Sequence, residues 1–192
     1  MTKARTKIPE TIVSLIQPSI QALASRLFVL TAGREGSEKF KPTISDFYET
    51  GIVTVLYEHL LMTPLLQHMD IRHEMPYPGS GRGAPKKVDL WMRPFNGGDP
   101  HLIEAGDFAV GKVHNDIKKL ETITDRGARW FLAFFRDETA VDPWKTIQDS
   151  FKRGNGLDAN KVEAQQSLTG TFQVYRPDGN HDNFGYSLFK GK

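Results

Sequence analysis

The stretch Arg129–Phe135 constrains the fold most. After its leading arginine it reads Trp130, Phe131, Leu132, Ala133, Phe134, Phe135, with no polar side to turn to water. A run this apolar is most easily buried on both faces, as a central strand is. The chain is therefore expected to build a sheet with this strand in its interior and with cover on each side. The segments around it supply both parts. His68–Met75, Lys86–Arg93 and His101–Phe108 read as strands; Val88, Leu90 and Met92 fall on one side of the second, Asp89 and Trp91 on the other. A hairpin is expected from Gly170–Tyr175 and Phe184–Phe189 around Pro177-Asp178-Gly179-Asn180.

Helices are expected between them. Ile12, Leu15, Ile16, Ile20, Leu23, Leu27 and Leu30 are spaced helically across Thr11–Thr31, where Pro18 should kink or split the helix. A second helix begins near Thr43–Asp46, with Ser45 as its cap. Its apolar face holds Ile52, Val53, Leu56 and Leu60, and Glu49 belongs to that face at its N-terminal end. Val113–Ile123 and Pro143–Phe151 read as two more helices. The order predicts an α/β domain over residues 41–192, with residues 1–40 as an N-terminal helical extension and the hairpin at the C-terminal end.

Composition narrows the chemistry. The 192 residues contain no cysteine, which excludes disulfides, zinc–thiolate sites, iron–sulfur clusters and a cysteine nucleophile. The six histidines include no His-x-x-x-His pair, so zinc is not expected. Gly79-Ser80-Gly81-Arg82-Gly83 lacks the Gly-Lys-Ser/Thr of a phosphate loop. No apolar stretch near the N-terminus approaches the roughly 20 residues of a spanning helix. The basic start Met1–Lys7 is not followed by a signal-peptide core, so the expectation is a soluble cytoplasmic protein with no membrane partner. Net charge is only +2. A nucleic-acid surface must then come from local clustering, and Arg72, Arg82, Lys86, Lys87 and Arg93 outnumber Glu74 and Asp89 between residues 72 and 93.

Two carboxylates stand out because they interrupt apolar strands. Asp89 lies in Lys87-Val88-Asp89-Leu90, and Glu104 lies in Leu102-Ile103-Glu104-Ala105-Gly106. A carboxylate in such a setting carries a desolvation cost unless something pairs with it. Two readings are open. On neighbouring strands the pair can share a divalent cation, since hard oxygen ligands suit Mg²⁺. Alternatively, Asp89 pairs with Arg93 or Lys87, and Glu104 with Lys112 or Arg129.

Taken in order, the helix Tyr48-Glu49-Thr50-Gly51-Ile52-Val53, the Asp89 strand, the Glu104 strand and the following Asn115-Asp116-Ile117-Lys118-Lys119-Leu120 resemble the PD-(D/E)XK nuclease superfamily over residues 45–135. That family has a restriction-endonuclease-like mixed sheet flanked by helices. The last piece is similar to a D-x-x-K-L run of small members with phage or defence associations. The resemblance implies a metal-dependent endonuclease acting on DNA, as a homodimer or with a protein partner. Asp89 and Glu104 would bind catalytic Mg²⁺ or Mn²⁺, and Glu49 would reach it directly or through water. Arg82, Lys86, Lys87 and Lys112 would meet the nucleic-acid backbone. The family's lysine, two residues after the Glu, is Gly106 here. Asp107 does not replace it, because it faces the other side of the strand. Three arrangements are open. The amine comes from elsewhere, Lys119 first and Lys112 second; or another group orients the water; or the domain is inactive and binds DNA or a protein as an accessory subunit or inhibitor.

Overall fold

The computed structural model describes residues 18–22, 25–26, 49–62, 68–76, 87–95, 97–123, 127–136, 143–153, 158–175 and 179–192. Among the described residues, helices α1 (Glu49–Leu61), α2 (Val110–Glu121) and α3 (Pro143–Lys152) accompany six strands. These are β1 (Met69–Pro76), β2 (Lys87–Pro94), β3 (His101–Asp107), β4 (Ala128–Arg136), β5 (Val162–Tyr175) and β6 (His181–Gly191). Residues 18–22 and 25–26 are helical as well.

The described strands form one mixed sheet in the order β1-β2-β3-β4-β6-β5. β3 and β4 run parallel and every other neighbouring pair is antiparallel. The parallel pair needs a crossover, which α2 supplies. β4 is interior, as its composition requires, and Trp130, Phe131, Leu132, Ala133 and Phe134 are all at most 3 % exposed. Each large side chain buried so completely contributes roughly 1.5–3 kcal/mol of transfer free energy.

The two faces of the sheet are covered by different helices. Val53, Leu56 and Leu60 of α1 pack with Leu90, Met92, Ile103, Trp130, Leu132 and Phe134 on one face. Ile20, from the helical residues 18–22, joins that same cluster. On the other face, Val113 and Ile117 of α2 and Ile147 of α3 cover Phe131, Ala133 and Phe189. Leu120 and Ile123 cover Trp91 and Leu102 beside them. In α2 the buried residues recur at every third or fourth position, the stripe of a helix lying on a sheet.

Two features tie β4 and α2 into register. Gly127 precedes β4 where a Cβ would collide with the carbonyl of Pro100, and Ala128 N–H donates to that same carbonyl at 2.9 Å. At the end of α2, Lys119 O accepts both the N–H (3.1 Å) and the hydroxyl (2.7 Å) of Thr122. Leu120 O accepts Ile123 N–H and Arg129 Nε. The last turn of α2 is thereby fixed against β4.

The tail differs in extent from the expected hairpin. β5 begins at Val162, and its register with β6 shifts between Ala164 and Thr169. The polar run Glu163-Ala164-Gln165-Gln166-Ser167 conceals this half of the strand, because a shifted edge strand need not alternate. Its aromatic residues serve the core: Phe172, Phe184, Tyr186 and Phe189 are buried and only Tyr175 is largely exposed.

Candidate functional site

Asp89 and Glu104 come together on the α2 face of the sheet. β2 and β3 pair through Met92↔His101, Trp91↔Leu102 and Leu90↔Ile103. One step further along this register sets Asp89 opposite Glu104. There the backbone ladder ends, and the amide of Ala105 donates to Asp89 Oδ2 at 2.9 Å. A side chain thus replaces a main-chain acceptor at the point where the two carboxylates meet.

The third member comes from α2. Lys119 Nζ lies 2.7 Å from Glu104 Oε2. Lys112, Asp116 and Lys119 form a stripe at i, i+4 and i+7, each one position ahead of the buried Val113, Ile117 and Leu120. An offset of one residue turns the stripe about 100° from the apolar one, so it flanks the packed face. Lys112 Nζ lies 3.6 Å from Asp116 Oδ2, an i,i+4 pair.

Burial and charge set the protonation of this group. Glu104 is 3 % exposed, and its Oε1 has no hydrogen-bond partner. Burial, then the neighbouring charge of Asp89, pushes its carboxyl up to about 8, against the pull of Lys119. Asp89 is raised too, by burial first, although Ala105 N–H and Lys119 oppose the shift. Burial lowers Lys119, but the hydrogen bond and charge of Glu104, with Asp89 and Asp116, outweigh it and hold the amine above its ordinary value. The direction for Glu104 follows from the excess of negative charge. Three carboxylates share two ammonium groups in a largely apolar setting, and a proton or a cation relieves the imbalance.

The donor set suits a hard divalent cation in one specific way. Glu104 carries an orphaned buried carboxylate oxygen and feels the charge of a second carboxylate, Asp89, so the candidate donors are all oxygen. Among the described residues no three His, Cys, Asp or Glu side chains are close enough to hold a metal ion together. The protein would therefore supply two carboxylates, leaving the remaining positions to water and phosphate, the usual state of Mg²⁺.

The other expected residues fare differently. Glu49 opens α1, but α1 packs on the opposite face of the sheet from Asp89 and Glu104, and the Glu49 side chain lies outside the described residues. Helical periodicity told which side of α1 meets a sheet; it did not tell which face of the sheet. Arg82 and Lys86 lie outside the described residues. Lys87 pairs with Glu74, and Arg72 pairs with Asp70 at 2.6 Å while lying 5.2 Å from the centre of the Trp91 ring. Two of the five basic residues expected to cluster between residues 72 and 93, Arg72 and Lys87, are thus locally paired. Of the partners expected for a purely structural pair, Lys87 bonds Glu74 and Arg129 Nε bonds Leu120 O, and the amine that pairs with Glu104 is Lys119. Asp116 received no role from the sequence, although its spacing from Lys112 and Lys119 was the signal available.

Comparison with models of known protein families, with curated proteins and with solved structures finds no match.

Proposed function

We propose that this chain is a metal-dependent nuclease of the restriction-endonuclease-like class, hydrolysing phosphodiester bonds in DNA. The observation behind the reading is the amine: Lys119 Nζ, delivered from α2, sits on Glu104 beside Asp89, while Gly106 leaves the expected strand position without a side-chain amine. The order of elements supports it: a helix, an antiparallel hairpin bearing Asp89, a strand bearing Glu104, a helix, then a parallel strand. Opposed carboxylates in a strand that is otherwise buried and apolar are costly for a protein that has no use for them.

Asp89 and Glu104 would hold Mg²⁺ or Mn²⁺, which supplies a polarised phosphate and a more acidic attacking water. Lys119 has a different part. Its raised basicity keeps it protonated, so it donates hydrogen bonds and does not take the proton of the water. It orients that water and stabilises the charge growing on the phosphate oxygens. Lys112, 33 % exposed at the first turn of α2, would meet an adjacent backbone phosphate.

Supercoiled plasmid and single-stranded DNA, each with Mg²⁺, Mn²⁺ or EDTA, test the reading. Metal-dependent cutting that disappears in Glu104→Ala is the expected result. DNA retarded on a gel but never cut would replace the enzyme by an inactive DNA-binding domain. Neither cutting nor retardation would point to a protein partner.

A further inference from the structure

We propose that Asp116 is a positioning residue for Lys119, the counter-charge onto which the amine moves when Glu104 takes a divalent cation. The inference rests on the nuclease reading and adds a residue to it. Lys119 Nζ now lies 2.7 Å from Glu104 Oε2. A cation on Asp89 and Glu104 would compete with the ammonium for that oxygen and repel it. The carboxylates whose charge reaches Lys119 are Glu104, Asp89 and Asp116. With the first two engaged, Asp116 is the one left. It lies one turn earlier on the same stripe of α2, at the i,i+3 spacing at which side chains of a helix meet. Its side chain is 20 % exposed and already pairs with Lys112 at 3.6 Å, so it faces the cations and not the bulk solvent. The turn behind it is rigid, because Lys119 O and Leu120 O are each held by two donors. A small swing of one lysine side chain, with the helix fixed, then sets Nζ beside the site instead of on a ligand atom.

The test uses the full chain and compares Asp116→Asn, Asp116→Glu, Lys119→Ala and the double variant Asp116→Asn/Lys119→Ala. Plasmid cleavage kinetics are read in Mg²⁺, and Mn²⁺ binding is read by calorimetry. Asp116→Asn should lower kcat by about 10- to 50-fold, with KM for plasmid changed less than about twofold. Asp116→Glu should recover kcat to within about threefold of wild type. Mn²⁺ affinity should change less than about threefold, and in the Lys119→Ala background Asp116→Asn should cost nothing further. Wild-type kcat in Asp116→Asn would overturn the inference while leaving the nuclease reading standing. So would a full additional loss in the double variant, or a collapse of Mn²⁺ affinity, which would make Asp116 a ligand. A wild-type protein that cuts no substrate would remove the nuclease reading, and this role with it.

Discussion

Lys119 Nζ and Glu104 Oε2 stand 2.7 Å apart across the junction of α2 and β3, while the strand position two residues beyond Glu104 is Gly106. On the proposed nuclease reading, the helix that covers the strand would supply the amine that Gly106 lacks. This pairing has two consequences for stability, each with a sign fixed by burial and charge.

Removing the amine should matter more at high pH. In Lys119→Ala, Glu104 loses the group that opposes its protonation, so its carboxyl titrates even higher than in the wild type. At pH 6 the neutral carboxyl tolerates its apolar setting, and the variant should be nearly as stable as wild type. At pH 9 an unpaired buried carboxylate, or the cost of keeping it protonated, should destabilise the variant by about 3 kcal/mol. Chemical denaturation at the two pH values checks this. An equal loss at both would mean that the pair contributes through packing alone.

The metal-free wild type should lose stability as pH rises. Glu104 titrates near 4.5 in the unfolded chain and at about 8 in the folded one. Between those values the folded state keeps a proton that the unfolded state releases. The stability linked to this group is intact below 4.5, declines through that window and levels off above 8. Glu104→Gln removes the slope, so without metal its Tm should exceed that of wild type by a few degrees at pH 8. Mg²⁺ should raise the wild-type Tm more at pH 8 than at pH 6 and leave Glu104→Gln unmoved. Scanning calorimetry decides, and a Mg²⁺ response in the variant equal to wild type would exclude Glu104 as a ligand.

A second titration acts on the acid side. His101 is 5 % exposed on the α1 face, and its Nδ1 accepts the indole N–H of Trp130 at 3.2 Å. Burial, then the charge of Lys190, lowers its pKa from 6.5 to about 4. The folded state therefore holds it neutral while the unfolded state protonates below 6.5. Stability is fully present above that value and declines as pH falls towards 4, by about 3 kcal/mol in all. Protonation at Nδ1 would also set an N–H against the N–H of Trp130. His101→Gln should flatten the loss between pH 6.5 and 4, read from urea midpoints. An unchanged acid limb would assign it to the carboxylates instead.

Much of the fold was legible because burial imposes period on sequence. The apolar run in β4 announced a central strand, and the strands before it fell within a residue or two of their expected bounds. β5 was half hidden, since its first half is polar and its register shifts. In the site, Asp89 and Glu104 were conspicuous as carboxylates in apolar strands. Lys119 ranked ahead of Lys112 as the candidate amine, but its pairing with Glu104 was not legible, because the end of α2 is fixed by Thr122 and Arg129. The face occupied by α1 was beyond reach for a different reason. A helix pattern records that one side is covered and carries no label for the face of the sheet that covers it.

The most direct measurement is single-turnover cleavage of supercoiled plasmid by wild type, Glu104→Ala and Lys119→Ala in Mg²⁺, with folding of each variant checked at pH 6. The proposed nuclease reading predicts metal-dependent cutting by wild type, none above background in Glu104→Ala, and a rate lowered by about 100- to 1000-fold in Lys119→Ala. A folded Lys119→Ala protein that cuts at the wild-type rate would contradict the assignment of the amine, and a wild type that leaves DNA intact would contradict the enzyme itself.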